Sequence, residues 1–258
     1  FYAPHSRYTS VKKEDIEKYT NYVNYRKKEK DEALSVVFIG HNTFLIQIEG
    51  INILTDPIWS ERASPLSFVG PKRVTKPGVG IYDMPNIDYI LISHTHYDHL
   101  DIPTLKSLKQ SFNPTIIAGL GVCYYINNIK KVMIDCIEKD WGEFVQVKPD
   151  FKIFFEKAKH YSKRTLFDAN KNLWGGFVIS SNNYKVFYSG DTSYGKHFKM
   201  IGEQYGPFDL SLLEVGTYEP RYIMARSHMN PEEAVMAHLD LLSNQSIGMH
   251  LKTFQLSD

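Results

Sequence analysis

The sequence has few cysteines and almost no net charge, and each shortage excludes a class of protein. Its 258 residues include two cysteines, Cys123 and Cys136, which form neither a Cys-x-x-Cys pair nor a disulfide-dense pattern. This spacing predicts ordinary thiols and excludes a small disulfide-held scaffold. The 30 basic and 29 acidic residues leave a formal net charge of +1. Such a balance creates no overall field for nucleic acid, so we expect no nucleic-acid partner.

Long apolar runs are also missing. No run approaches the roughly 18 apolar residues that a membrane-spanning helix needs, and no signal peptide is recognisable. The sequence begins at Phe1 rather than at Met, so whether a signal or anchor segment precedes it stays open. We expect a location in the cytoplasm or at the periphery of a membrane. The oligomeric state stays open as well.

The chain is apolar enough for a substantial core, since 43% of its residues are hydrophobic. Residues 1–33 are predicted to be an N-terminal extension with a helix over Val11–Lys30, and residues 34–258 a single domain. Three short β-rich runs open this domain, with a hairpin expected at Glu49-Gly50. The proline-rich segment Asp56–Pro85 is predicted to be a long loop beside a functional site.

After residue 100, helical and strand-like segments alternate, which predicts a mixed α/β (α+β) fold. Helices are expected at 103–110, 121–128 and 231–242, and strands at 115–118, 131–134, 144–147, 152–157, 174–180, 185–188, 209–213 and 246–249. Two of the helices begin at a proline, which suits the first helical turn.

Three imidazoles and a carboxylate stand close together after the apolar run 87–92. They form the string His94-Thr95-His96-Tyr97-Asp98-His99. Imidazole and carboxylate groups are preferred ligands of zinc and similar metals. With the His and Asp frequencies of this chain, such a string would arise by chance in roughly one sequence per thousand. The string therefore predicts a zinc site.

Further His and Asp residues stand where predicted strands end. His160 follows the strand at 152–157, Asp191 follows Tyr188-Ser189-Gly190, and His250 follows Ile247-Gly248-Met249. If these strand ends gather at one edge of a sheet, five imidazoles and two carboxylates surround one point. That number of ligands is enough for two metal ions.

In this order, the string and the later ligands resemble the metallo-β-lactamase superfamily over roughly residues 34–254. The resemblance implies a four-layer αββα sandwich, with two mixed sheets between helices and a dinuclear site at one edge. It also implies one zinc bound by His94, His96 and His160, a second bound by Asp98, His99 and His250, and Asp191 as the bridge. Two zinc ions are the expected cofactors, with manganese or iron as alternatives.

Motifs outside these ligands resemble the branch that contains N-acylphosphatidylethanolamine-hydrolysing phospholipase D and its bacterial relatives. The matching segments are Gly40–Gln47, Leu54–Pro57, Gly70–Arg73, His160–Asp168, Leu173–Gly176 and His228–Val235. One departure lies at the last ligand, where this branch often reads His-Trp-Gly-Thr-Phe and this chain reads His250-Leu251-Lys252-Thr253-Phe254. The exchange changes the lining beside the second metal, which bears on the identity of the substrate.

The resemblance implies a dinuclear zinc-dependent hydrolase, a phosphodiesterase of phospholipase D type acting on an N-acyl phospholipid-like substrate. Peripheral contact with a membrane is compatible with such a substrate. Asp98 is expected to orient the attacking water as well as to bind metal. His228 is expected to contact the phosphate or protonate the leaving oxygen, with a structural histidine before the helix at Pro231 as the alternative. Two other functions stay open: a lactonase acting on a sugar-phosphate or acyl lactone, and a non-catalytic module stapled by metal.

Four further polar residues are candidates for supporting roles. His41 and Asp56 are expected to orient metal ligands through hydrogen bonds rather than to bind metal. Arg164 and Asp168 follow a ligand in a loop, where a structural ion pair and a substrate contact are equally open.

Overall fold

The computed structural model describes residues 34–165 and 167–256. Within these ranges, the strands form two six-stranded sheets. The strands are β1 (Ser35–Gly40), β2 (Thr43–Ile48), β3 (Ile51–Thr55), β4 (Tyr89–Ile92), β5 (Thr115–Gly119), β6 (Cys136–Lys139), β7 (Phe144–Lys148), β8 (Phe151–Lys157), β9 (Gly175–Ser180), β10 (Lys185–Tyr188), β11 (Phe208–Glu214) and β12 (Ser243–Met249). The helix expected at Val11–Lys30 lies outside the described residues, and the domain boundary at residue 33 stays a prediction.

The first sheet has the strand order β1-β2-β3-β4-β5-β6. Its first three strands are antiparallel, whereas β3 to β6 are parallel. Ile48 pairs with Ile51 across the turn at Glu49-Gly50, where both turn residues have positive φ, 45° and 78°. Positive φ at both central residues is the conformation of a tight hairpin turn, so the predicted hairpin is confirmed.

The second sheet has the order β12-β11-β10-β9-β8-β7. Strands β7 to β10 are antiparallel to their neighbours, and β10 to β12 are parallel. The carboxyl ends of β8, β10, β11 and β12 therefore lie at one edge of this sheet. This shared edge is what allows residues far apart in sequence to form one site.

The helices cover the outer faces of the sheets. They are α1 (Ile102–Phe112), α2 (Val122–Tyr124, followed by a π-helix at Tyr125–Ile129), α3 (Lys196–Tyr205), α4 (Arg221–Met224) and α5 (Pro231–Asp240), with a 3-10 turn at Ile81–Asp83. Helices α1 and α5 confirm the predictions that began at prolines, whereas α3 and α4 were not predicted. None of the helices in the described ranges has the length and apolarity to cross a membrane.

Three apolar clusters define four layers. Fully buried aromatic rings of Phe44, Phe155, Phe177 and Tyr188 pack between the two sheets. A second cluster lies between the first sheet and helices α1 and α2, and a third lies between the second sheet and helices α3 and α5. Burying a large apolar side chain stabilises the fold by about 1.5–3 kcal/mol, so the layers hold each other in place. The expected αββα sandwich is confirmed.

The strand predicted at 131–134 is wrong, although the other predicted strands are present with ends shifted by at most three residues. Lys131 and Met133 have positive φ values of 55° and 58°, which a strand does not allow. The Asn127 side chain also donates to the carbonyl of Ile134 at 2.7 Å and accepts its N–H at 3.0 Å. These contacts turn the segment into a loop, and the strand of this region is β6.

The prediction of two ordinary thiols is also wrong, because Cys123 and Cys136 form a disulfide. Cys123 lies in α2 and Cys136 in β6, and the packing of α2 against β5 and β6 brings their Cα atoms to 5.6 Å. That separation is within the range that a disulfide needs. The 13-residue spacing contains no sign of this contact, since it depends on how the helix packs.

We expect the native protein to have no free thiol. Denatured but unreduced protein should not react with a thiol reagent, and reduction should release two reactive groups. The bond spans a sequence separation of 13 residues, so the double variant Cys123→Ser/Cys136→Ser should lose about 3 kcal/mol of unfolding free energy. Urea unfolding measures this loss, and two reactive thiols before reduction would contradict the disulfide.

Candidate metal centre

The seven predicted ligands lie at the edge where strands of both sheets end. The string 94–99 follows β4, His160 follows β8, Asp191 follows β10 and His250 follows β12. The structure therefore brings together all the residues that the sequence singled out as ligands. Their roles toward particular metal ions stay a prediction.

The first group contains His94, His96, His160 and Asp191, whose ligand atoms all lie within 4.8 Å of one another. Nδ1 of His96 is 2.8 Å from Nε2 of His94 and 3.2 Å from Nε2 of His160. Oδ2 of Asp191 lies 3.9 Å from Nε2 of His94 and 3.8 Å from Nε2 of His160. This is the donor set predicted for one zinc.

The second group contains Asp98, His99 and His250, with His41 beside them, and again spans at most 4.8 Å. Oδ2 of Asp98 is 3.3 Å from Nε2 of His99 and 3.4 Å from Nε2 of His250. Oδ2 of Asp191 lies 3.1 Å from each of these two nitrogens. One oxygen of Asp191 is thus close to the imidazoles of both groups, which is the position that a bridging ligand requires.

The imidazoles are held by hydrogen bonds on the far side of each ring. The Nδ1 contacts are to Ser93 Oγ at 2.9 Å for His94, to Asp56 Oδ2 at 2.7 Å for His99, to the Ser227 carbonyl at 2.9 Å for His160, and to Thr217 Oγ1 at 3.0 Å for His250. Each contact leaves Nε2 directed at the centre. Such contacts fix the ring orientation of a metal-binding histidine and increase its basicity.

Asp56 is the most connected of these supporting residues. Its carboxylate is fully buried and accepts hydrogen bonds from the Ser93 N–H at 2.7 Å, the Ser93 hydroxyl at 2.5 Å and the Tyr188 hydroxyl at 2.6 Å, besides His99. It therefore orients a ligand as expected. His41 also contacts a ligand as expected, with its Nε2 2.9 Å from Oδ2 of Asp98.

The donor set fits bound cations. Nε2 of His99 and Nε2 of His250 are buried and have no hydrogen-bond partner among the described residues. Burial alone would lower the pKa of each imidazole, but the neighbouring carboxylates of Asp191 and Asp98 raise the pKa of both, that of His250 to about 10. The carboxylates thus favour positive charge where unpaired nitrogens converge, and a metal ion satisfies both groups at once.

The remaining imidazoles are in the form that binds metal. Burial lowers the pKa of His96 to about 4 and holds the pKa of His94 and His160 well below the ordinary value, so these rings are neutral. Tetrahedral zinc bonds of about 2.0–2.1 Å would separate two nitrogen ligands by about 3.3 Å. Nδ1 of His96 lies 3.2 Å from Nε2 of His160, close to that separation, and 2.8 Å from Nε2 of His94, which is shorter.

Unusual backbone conformations place two of the ligands. His250 has a φ of 63°, a left-handed conformation that a residue other than glycine adopts mainly where the surroundings enforce it. Gly190 has a φ of 58°, and a Cβ there would lie 2.7 Å from Cβ of Ser93 and 2.9 Å from the Gly175 carbonyl oxygen. Glycine is therefore required for the end of β10 to approach the string after β4 and deliver Asp191.

Arg164 and Asp168 do not form the ion pair that was one of the two expected alternatives, and the substrate contact stays a prediction. The Arg164 guanidinium donates to the backbone carbonyls of Thr95 at 2.8 Å and Leu100 at 2.7 Å. Asp168 accepts the backbone N–H groups of Arg164 and Thr165, at 2.9 and 2.7 Å. Arg164 thus holds the metal-binding string in place, and its contact with Asp168 runs through the backbone rather than through an ion pair.

Sequence reasoning missed Glu214 and Asn42. Glu214 ends β11, is fully buried, and makes a short hydrogen bond to Nδ1 of His228. Asn42 donates to Oδ1 of Asp191 at 3.2 Å, which leaves Oδ2 for the imidazoles. A carboxylate at the end of an apolar strand was a signal available for Glu214. The structure places His228 at the site, with ring centroids 5.2 Å from His160 and 5.6 Å from His250.

Removing the shared carboxylate should remove the metal. We expect Asp191→Asn to retain less than about a tenth of the metal bound by the unaltered protein, because both groups lose a charged ligand. Elemental analysis after dialysis measures this content. Asp150→Asn, at an exposed aspartate, serves as the matched control and should keep full metal content. Equal metal in both variants would contradict a bridging role.

Comparisons with known proteins identify the family of this chain. A family model of the β-lactamase superfamily domain matches residues 51–251. An uncharacterized protein of Mycobacterium tuberculosis is 39% identical over 227 residues, which cover 87% of this chain and 60% of the relative. The N-acyl-phosphatidylethanolamine-hydrolyzing phospholipase D 1 of Caenorhabditis elegans is 37% identical over 236 residues, which cover 88% and 66%. The mitochondrial N-acyl-phosphatidylethanolamine-hydrolyzing phospholipase D of Saccharomyces cerevisiae is 35% identical over 229 residues, which cover 84% of this chain and 48% of the relative.

The chain thus spans about half to two thirds of the length of these relatives. Solved structures extend the likeness to the fold. Igni18, a metallo hydrolase from Ignicoccus hospitalis, superposes with a TM-score of 0.63 at 23% identity, over 84% of this chain and 82% of that one. An isothiocyanate hydrolase from Delia radicum gut bacteria superposes with a TM-score of 0.68 at 17% identity, over 84% of this chain and 85% of that one. With its αββα layers and this donor set, the chain belongs to the metallo-β-lactamase superfamily, and within it resembles the N-acyl-phosphatidylethanolamine-hydrolysing phospholipases D.

Proposed function

We propose that the protein is a hydrolase with two zinc ions, a phosphodiesterase of phospholipase D type that acts on an N-acyl phospholipid-like substrate. The observation that carries this proposal is the position of Asp191, whose Oδ2 lies 3.1–3.9 Å from the Nε2 atoms of His94, His99, His160 and His250. Two relatives at 37% and 35% identity carry the name of that phospholipase, which supports the choice of substrate.

A zinc pair, when bound, supplies Lewis-acid stabilisation of a phosphoryl group and a lowered pKa for water. Hydrolysis forms one bond between the water oxygen and phosphorus and breaks the bond from phosphorus to the leaving alcohol oxygen. The leaving oxygen takes up one proton and the attacking water gives up one. The products are a phosphatidic acid and an N-acylated amino alcohol.

Asp98 and His228 are placed to handle these protons. The side chains of Asp98 and His228 are 13% and 11% exposed, whereas that of Asp191 is only 2% exposed. Solvent and substrate therefore reach the first two groups more readily than the shared carboxylate. We assign Asp98 to accept from the attacking water and His228 to contact the phosphate or the leaving oxygen.

The substrate test uses zinc-loaded protein with an N-acyl phosphatidylethanolamine and with a panel of lactones. We expect release of phosphatidic acid and an N-acyl ethanolamine from the phospholipid, and less than about a hundredth of that rate in Asp191→Asn. Mass spectrometry of both products measures the reaction. Turnover of lactones alone would replace the phospholipase assignment by lactonase. Absence of any turnover at full zinc occupancy would favour a metal-stapled module.

A lipid substrate also calls for contact with a lipid surface, and we propose that the loop tip formed by Leu66, Phe68 and Val69 makes it. These side chains are 47%, 76% and 50% exposed. The same loop packs through Ala63 against Phe254, in a cluster that also includes Tyr97 of the metal-binding string. Two basic residues flank the tip, Arg62 before it and Lys72 after it, and an antiparallel β-bridge between them brings the two ends of the loop together. Apolar side chains between basic residues suit the interface of an anionic membrane.

Vesicles of phosphatidylcholine and phosphatidylserine test this contact without any substrate. We expect Leu66→Ser/Phe68→Ser to bind them at least about tenfold more weakly by sedimentation, since two apolar anchors are lost. The control is Met200→Ser/Leu239→Ser, which alters side chains 64% and 65% exposed on α3 and α5 and should bind as the unaltered protein does. Equal binding by both variants would contradict the proposal. A dimer that only the loop variant dissociates would instead assign the tip to a second copy of the chain.

A further inference from the structure

Glu214 is a fully buried carboxylate beside the metal centre that is not one of the predicted ligands. Its Oε2 accepts the backbone N–H of Thr192 at 2.7 Å, and its Oε1 faces Nδ1 of His228 in a short hydrogen bond. Nδ1 of His250 is farther away, at 3.7 Å, and is already bonded to Thr217. A buried carboxylate is costly unless it is paired, so His228 is the partner that Glu214 requires.

Hydrogen bonds hold the backbone of His228 and one nitrogen of its ring. Its carbonyl accepts from Nη1 of Arg221 at 3.0 Å, and Arg221 in turn pairs with Glu233 at 2.9 Å in the first turn of α5. Nδ1 is fixed by Glu214, whereas Nε2 has no hydrogen bond to any of the described residues. The side chain of His228 keeps 11% of its surface exposed, and Nε2 is the ring nitrogen that Glu214 does not contact. Nε2 is therefore the atom that His228 offers to a ligand.

We propose that Glu214 is a positioning residue, which accepts Nδ1–H of His228 and thereby holds Nε2 toward the leaving oxygen of the substrate. The proposal rests on the proposed function, in which His228 contacts the substrate. With Nδ1–H on Glu214, the form that donates is the imidazolium, which the facing carboxylate stabilises. Its Nε2–H gives a proton to the leaving oxygen as the bond to phosphorus breaks, which leaves His228 as the neutral Nδ1–H tautomer, and the proton lost by the attacking water restores the imidazolium. A carboxylate behind a catalytic imidazole fixes both its tautomer and its orientation.

Glu214→Gln separates this role from simple packing, because glutamine keeps the size of the side chain but offers an N–H to Nδ1 and so disfavours the imidazolium, which needs a proton on Nδ1. The zinc-loaded variant is assayed on two phosphodiesters that differ only in the leaving group, an alkyl alcohol or p-nitrophenol. We expect kcat to fall by about 10²–10³-fold for the alkyl substrate, with KM changed less than about twofold. For p-nitrophenol, which leaves without a proton, the fall should stay below about tenfold.

Four further variants complete the comparison. His228→Gln should show the same dependence on the leaving group, and the double variant should be no slower than His228→Gln alone, because Glu214 acts only through His228. Glu214→Asp keeps the carboxylate and should recover part of the rate. Glu156→Gln is the matched control, because it alters another buried glutamate that lies away from the site. The Oε1 of Glu156 accepts a 2.5 Å hydrogen bond from the Tyr205 hydroxyl, and the substitution should leave both rates unchanged.

A spectroscopic measurement tests the hydrogen bond itself and needs no turnover. The NMR spectrum of the zinc-loaded protein should contain a downfield Nδ1–H signal that His228→Gln and Glu214→Gln both remove and Glu156→Gln keeps. Equal loss of rate on the two substrates, loss of zinc together with activity, or survival of the signal in Glu214→Gln would overturn the proposal. If the unaltered protein shows the signal but hydrolyses no phosphodiester, the proposed function fails and the tautomer assignment stands.

Discussion

The buried carboxylate of Asp56 is the contact on which the rest of the site depends, because it joins the two sheets at the metal centre. It follows β3, it binds Ser93 and His99 of the loop after β4, and it reaches Tyr188 on β10 of the second sheet. A buried charge is tolerated only when its hydrogen bonds are complete. The contacts of Asp56 that join the two sheets therefore also orient the ring of His99.

Around this contact the protein concentrates buried imidazoles and carboxylates, and a bound cation would satisfy both kinds of group. Nε2 of His99 and Nε2 of His250 are buried without a hydrogen bond in the described part of the chain, and the left-handed backbone of His250 adds conformational cost. Metal binding would offset these terms, so it is coupled to the stability of the folded state. Arg164 contributes from outside by bonding the carbonyls of Thr95 and Leu100.

Exposure divides the centre into a structural side and a chemical side. Asp56 and Asp191 are enclosed, whereas Asp98 and His228 retain accessible surface. Glu214 lies on the enclosed side and is hydrogen-bonded to His228, which connects the buried carboxylate with the accessible edge. Under the proposed function, ligand orientation lies in the buried part of the site and proton transfer at its accessible edge.

The sequence by itself determined the candidate ligand set, most of the strands and the hairpin at Glu49-Gly50, because these follow from short-range patterns of apolar, turn and metal-binding residues. Even the strand at 131–134 failed for a local reason, since Asn127 captures the backbone of Ile134. The pairing of Cys123 with Cys136, the hold of Arg164 on the string and the contact of Glu214 with His228 were decided only by the tertiary structure. Each joins segments whose approach depends on how helices and loops pack against the sheets, and the spacing of residues along the chain does not encode that approach.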